Sequence, residues 1–152
     1  MRGSQPTKRS STRATAKPAR ITSKRMAQVA ATALVAKRAA EPVLLDLRKL
    51  TPIADYFLIC HGTVRPHLHA LADAVAEALQ LEGVKPHAVE GYDPAHWILM
   101  DYGDLMVHIF TQADREFFDL ERLWGDAGRT EIASDGPEGP AAAPVRRTAG
   151  RR

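Results

Sequence analysis

The chain has a single cysteine, no long apolar run and, over its first 25 residues, no acidic side chain. One cysteine excludes a disulfide framework within the chain. Cys60 closes the run Tyr56-Phe57-Leu58-Ile59-Cys60, a setting that suits a packed structural thiol better than a nucleophile. No apolar run approaches the roughly 18 residues of a membrane span, so a soluble protein with no membrane partner is expected. No internal repeat is visible. The sequence also lacks an H-E-x-x-H pair, a Cys/His cluster, a Gly-rich phosphate loop, a nucleophile elbow and a Cys/His nucleophile pair.

Charge is present but unevenly placed. The net charge of +3 over 152 residues combines eight Lys or Arg in residues 1–25 with five bases and four acids in 125–152. Residues 26–124 therefore hold eight bases and 14 acids, a net of −6. An acidic domain between Arg-bearing ends suits a basic partner, and the basic N-terminal segment suits a polyanion. Residues 1–25 have too little apolar content to order themselves and are expected to be a disordered basic tail. Their Arg- and Ser/Thr-rich, acid-free composition resembles an organellar transit peptide, but the amphipathic apolar face is missing. A cytoplasmic location is expected, with a mitochondrial or plastid one as the alternative. Residues 125–152, rich in Pro, Gly and Ala, read as a flexible C-terminal tail.

Between the tails the pattern predicts one α/β domain over 26–124, in the order αββαβββα, with helices packed on a mixed five-stranded sheet. A first helix is expected from about Ser23 to Ala40, with Met26, Val29, Ala30 and Ala33 on one stripe and Pro42 beyond its end. Strands are expected at Val43–Leu47 and Tyr56–His61, the second apolar enough to be covered on both faces. Pro66 opens a helix carrying Leu68, Leu71, Ala72, Val75 and Leu79, and Gly83 ends it. A third strand covers about Lys85–Glu90. A last helix places Ala113, Phe117, Leu120 and Trp124 on one face, with Thr111 and Asp114 as a capping box.

The stretch Trp97–Phe110, WILMDYGDLMVHIF, reads as a hairpin turning at Tyr102-Gly103. That turn would set Asp101 opposite Asp104, Leu99 opposite Met106, Ile98 opposite Val107 and Trp97 opposite His108. Alternation puts Ile98, Met100, Leu105, Val107 and Ile109 on an aliphatic face, which reads as core. The other face holds Trp97, Leu99, Asp101, Asp104, Met106 and His108, with Phe110 at its end. A helix could cover it, as in a doubly wound sheet. Acids and a histidine beside a tryptophan favour a partner-facing surface, where Trp and Met concentrate inside a polar rim.

Neither a catalytic nor a metal site emerges. His67 and His69 lie about 200° apart around their helix, and His96 and His108 fall on opposite hairpin faces, so no metal or cofactor is expected. Asp101 and Asp104, with Asp46 or Asp55 as a third carboxylate, could serve an enzyme of nucleotidyltransferase type that holds an anion at Gly62-Thr63. Turn aspartates that bond their own backbone explain the same pair more simply.

Three blocks then carry a resemblance: TPIADYFLICHGT, VEGYDPAHWILMDYGDLMVHIF with its W-x-x-x-D-x-G-D-x-x-V-H core, and REFFDLERLW. In this order they resemble the ribosomal silencing factor, or Iojap-like, family over about Met26 to Trp124. The resemblance implies a fold shaped like the nucleotidyltransferases but without their activity. It also implies binding to the large ribosomal subunit through the bacterial L-fourteen protein, and a block on small-subunit joining that lowers translation when nutrients are scarce. By motif match the contact falls on Trp97, Leu99, Asp101, Asp104, Met106 and His108. Many relatives carry Ser-Ser-Arg-His where this chain has Val64-Arg65-Pro66-His67, so no role is carried over to that loop. Contact of the basic tail with ribosomal RNA and a homodimer of the free chain complete the expected partners.

Overall fold

A computed structural model of the chain describes residues 21–133. Most of both expected tails, residues 1–20 and 134–152, lies outside it. The elements are α1 (Ser23–Ala36), β1 (Ala40–Asp46), β2 (Tyr56–Gly62), α2 (Arg65–Leu81), β3 (Ala88–Glu90), β4 (Trp97–Asp101), β5 (Leu105–Thr111), α3 (Gln112–Phe118), α4 (Leu120–Leu123) and β6 (Gly128–Glu131). The six strands form one mixed sheet in the order β3-β4-β5-β2-β1-β6. Only β2 and β5 run parallel; the other pairs are antiparallel. No helix among the described residues is long and apolar enough to cross a membrane.

Local chemistry explains most of the boundaries. Thr22 caps α1 by accepting from Arg25 N at 3.0 Å. The helix stops at Ala36, four residues short of the expected end, because Arg38 turns left-handed (φ 63°) and Ala39 N returns to Leu34 O at 3.0 Å, as at many helix ends. Pro near the first turn starts α2, and Gly83, at φ 82°, releases the chain after it. The expected central position of β2 holds: all seven residues are buried between β5 and β1.

Two cores result, one on each side of the sheet. The larger packs α1 and α2, through residues such as Ala30, Leu34, Leu68, Leu71 and Val75, onto Leu58, Ile98, Val107 and Ile109. The smaller gathers Val43, Leu45, Leu47, Phe57, Ile59 and Phe110 beneath Leu120, Trp124 and Ala127.

Three expectations need correction. The third strand is only Ala88–Glu90, although His87 N still donates to Asp101 O at 2.7 Å. The last helix is two, because Asp119 adopts φ 50°, ψ 51° and breaks the 3.6-residue period. Phe117 is consequently 79% exposed instead of sharing an inward stripe with Leu120 and Trp124. Finally, the domain does not end at Trp124. β6 pairs with β1 from Gly128↔Asp46 to Glu131↔Val43, so part of the supposed flexible tail is a sixth strand. Its residues are mostly exposed and carry no apolar alternation to betray it.

Candidate functional site

β4 and β5 form the expected hairpin, but the two-residue loop is Gly103-Asp104. Tyr102 N donates to Leu105 O at 2.9 Å, and Asp101 Oδ1 accepts from Gly103 N at 2.8 Å. Gly103, at φ 84°, takes the left-handed position that such a loop opens with. The pairs are Asp101↔Met106, Met100↔Val107, Leu99↔His108, Ile98↔Ile109 and Trp97↔Phe110. The expected register, with Asp101 opposite Asp104, is therefore off by two residues. Its cause is Tyr102, which continues the inward alternation of Ile98 and Met100 and is 4% exposed. Burial pushes its phenol up to about 12. A slip of two preserves parity, so each side chain keeps its assigned face.

The inner face is core as expected: Ile98, Met100, Leu105, Val107 and Ile109 are all buried. The outer face is graded. Trp97, Leu99, Asp101 and Met106 are half-buried and Asp104 is exposed at the turn, while His108 and Phe110 lie under cover. The smaller core shields the far end of the strip and leaves the near end open. His108 is thus not a rim residue, being 4% exposed. Its Nδ1 accepts the Trp97 indole N–H at 3.1 Å, which leaves the proton on Nε2. Nε2 is buried and has no hydrogen-bond partner among the described residues. Phe57 packs against the ring at 4.5 Å between centroids. Burial alone drives the imidazole down to about 3, so it is neutral across the physiological range.

The approach to Trp97 is equally fixed. Gly91 sits at φ 77°, and a Cβ there would run into the Trp97 carbonyl oxygen. Tyr92 stacks on His69 at 4.3 Å and donates its hydroxyl to Asp73 at 2.9 Å, tying the preceding loop to α2. Against the indole itself, Phe118 lies 4.6 Å away and Phe110 4.9 Å away between ring centroids.

The remaining candidates separate in space. Gly62 pairs with Thr111 while Tyr56 pairs with Leu105, so Gly62-Thr63 and the hairpin turn sit at opposite ends of the sheet. Six residues at about 3.3 Å each put them ~20 Å apart. Thr63 N already donates to His67 Nδ1 at 3.0 Å, and a Cβ on Gly62 would meet Leu68 and His67, so this glycine is explained by packing. Asp46 is engaged by Arg48 at 2.7 Å, and Asp55 accepts from Ser23 Oγ at 2.7 Å. The pieces that a nucleotidyltransferase-type site would need do not meet. No group of three or more His, Cys, Asp or Glu suited to a metal ion occurs among the described residues.

Sequence patterning overlooked Arg115, Phe117 and Phe118. Arg115, 6% exposed, donates to Glu121 at 3.0 and 2.9 Å, to Ala40 O at 3.3 Å and to His61 Nδ1 at 3.0 Å. Burial pushes the Glu121 carboxyl up, but hydrogen bonding and charge from Arg115, then Arg129, outweigh it and hold the group below its usual range. Burial and the Arg115 charge lower His61. The available signal was Asp119, a helix-starting residue type placed just after Phe117-Phe118.

Comparison with known proteins agrees with this architecture. A family model described as "Ribosomal silencing factor during starvation" matches residues 20–151. A ribosomal silencing factor of Halalkalibacterium halodurans is 37% identical over 112 residues, spanning 74% of this chain and 96% of that protein. One from Bacillus subtilis is 38% identical over 109 residues, spanning 72% and 92%. A crystal structure of a protein from Chromobacterium violaceum superposes with a TM-score of 0.67 at 28% identity, covering 80% of this chain and 95% of that one.

Proposed function

The chain belongs to the ribosomal silencing factor family, and from that premise we propose that it binds the large ribosomal subunit through the L-fourteen protein. Seated there, it blocks association with the small subunit and lowers translation under nutrient limitation, acting in the cytoplasm as a regulator without catalysis. The observation that carries this reading is the graded outer face of the hairpin. Trp97, Leu99 and Met106 form a half-open apolar strip, with Asp101 beside it and Asp104 at its tip. Such a strip, on a domain of net −6, suits a basic protein surface. His108 serves the contact from beneath, by holding the indole of Trp97.

The basic N-terminal segment adds a contact with ribosomal RNA. It joins the domain at Ser23, whose Oγ donates to Asp55, and Asp55 N in turn donates to Asp104 O at 2.8 Å. Ser23 is thus linked through Asp55 to the hairpin tip, and the contribution of the basic segment to binding should fade as salt rises.

Co-sedimentation with isolated ribosomal subunits tests the proposal. The chain should pellet with large subunits, not small ones, and should inhibit their joining. Trp97→Ala, expected to remove a hot spot of about 2–4 kcal/mol, and Met106→Glu should release it and restore joining while the fold persists. Retention of both variants on large subunits would refute the assignment of this face.

A further inference from the structure

α3 is built the wrong way round for a surface helix. Its one buried residue is Arg115, while Phe117 is 79% and Phe118 41% exposed. In an ordinary amphipathic helix the phenylalanines would face the core and the arginine the solvent. Here the inward position is occupied by the Arg115 guanidinium, anchored on Glu121, His61 and the Ala40 carbonyl. Glu121 is also bonded by Arg129 of β6 at 3.1 Å, so the clamp joins α3, α4, β1, β2 and β6. It holds α3 in an orientation that keeps both rings outward. The rings continue the hairpin strip: Phe118 packs on Trp97 at 4.6 Å, and Phe117 meets Phe118 edge-on at 5.0 Å and 88°.

Resting on the hairpin-face reading proposed above, we infer that Phe117 and Phe118 are the second half of the same contact surface. They form an aromatic shelf that receives Arg- or Lys-bearing segments of the basic ribosomal partner. Charge selects this occupant. Glu116 is exposed beside Phe117, and Asp114 and Asp119 flank the two rings along the chain. Over 112–124 four acids stand against two bases, the exposed Arg122 among them, so the edge is net acidic; it disfavours RNA, and a second copy of an equally acidic domain would meet like charge. A guanidinium or ammonium gains both from the exposed ring face and from the carboxylates that neighbour it along the chain.

The experiment measures binding of the full chain to isolated large subunits, with thermal melting alongside, for Phe117→Ser, Phe117→Tyr and Glu116→Lys. Phe117→Ser should weaken binding about tenfold or more, as loss of an aromatic anchor does, with Tm almost unchanged because the ring is in solvent. Phe117→Tyr should restore most of it. Glu116→Lys should also weaken binding; stronger binding would identify RNA as the occupant and overturn the inference. Wild-type subunit binding by Phe117→Ser, with loss of a free dimer in sedimentation equilibrium, would instead identify a second copy and overturn it too. Trp97→Ala separates the two levels. Its release together with retention of Phe117→Ser refutes the shelf alone, whereas retention of both refutes the hairpin face itself.

Discussion

His108 should make the domain acid-sensitive well above the range in which carboxylates titrate. The imidazole is held at about 3 in the folded chain by burial, against 6.5 for the free side chain. Between those values the unfolded chain binds a proton that the folded chain refuses, so stability rises with pH and falls on acidification. At pH 7.5 neither state is appreciably protonated and the contribution is present in full. At pH 5 the unfolded imidazole sits 1.5 units below its midpoint while the folded one is still neutral, a loss of about 2 kcal/mol at 1.36 kcal/mol per unit. For a domain of this size that corresponds to roughly 8 °C in Tm.

Urea unfolding at pH 7.5, 6.5, 5.5 and 5.0, with equal m-values as the check on two-state behaviour, measures the effect. His108→Phe supplies the comparison: it retains a ring among Phe57, Trp97 and Phe110 and removes the titrating group. Its stability should fall by about 2 kcal/mol less than wild type across this window. Part of the slope should survive in the variant, since His61 is lowered too and acts in the same direction. Glu121 and Asp46, both held low by arginine partners, lose their contributions only below about pH 4.5 and do not confound the measurement. Parallel curves for the two proteins, or a His108 ring resonance titrating near 6.5, would refute the reasoning.

The inner hairpin face should fail by unfolding. Ile98→Ala removes a fully buried side chain, so about 2–5 kcal/mol should be lost in urea titrations, with subunit binding intact wherever the variant is folded. Arg115→Met leaves Glu121 half-buried with only Arg129, and about 3 kcal/mol should be lost; adding Glu121→Gln should recover part of it in a double-mutant cycle.

Legibility from the sequence followed periodicity. The run Tyr56–Cys60 declared a strand covered on both sides, and it lies mid-sheet with helices on one face and the smaller core on the other. The two hairpin faces were readable because parity survives a slip of two residues. The register itself was not, although Tyr102 continued the inward series of Ile98 and Met100 and so belonged outside the loop. Periodicity misled where backbone conformation changed without a Gly or Pro to mark it. Asp119 is left-handed, and continuing the helical stripe through it turned Phe117 inward on paper. β6 is four mostly exposed residues held by backbone bonds to β1, so nothing in its side chains announced it. The burial of His108 also escaped, because it depends on Phe57 from β2 and Trp97 from β4 converging on it from other parts of the chain.

That convergence bears on how the surface works. Trp97 is gripped before any partner arrives, by the His108 acceptor, by the Phe118 and Phe110 rings and by a loop anchored on α2. Ordering a rotamer-rich side chain on binding costs about 0.5–1.5 kcal/mol, and here folding has already met that cost. The buried Nε2 of His108, a donor with no partner among the described residues, opposes folding by about 1–3 kcal/mol. A phenylalanine would avoid that cost but could not accept the indole proton. The chain therefore gives up some stability at the centre of the strip, and it does so at the residue that fixes the orientation of the indole.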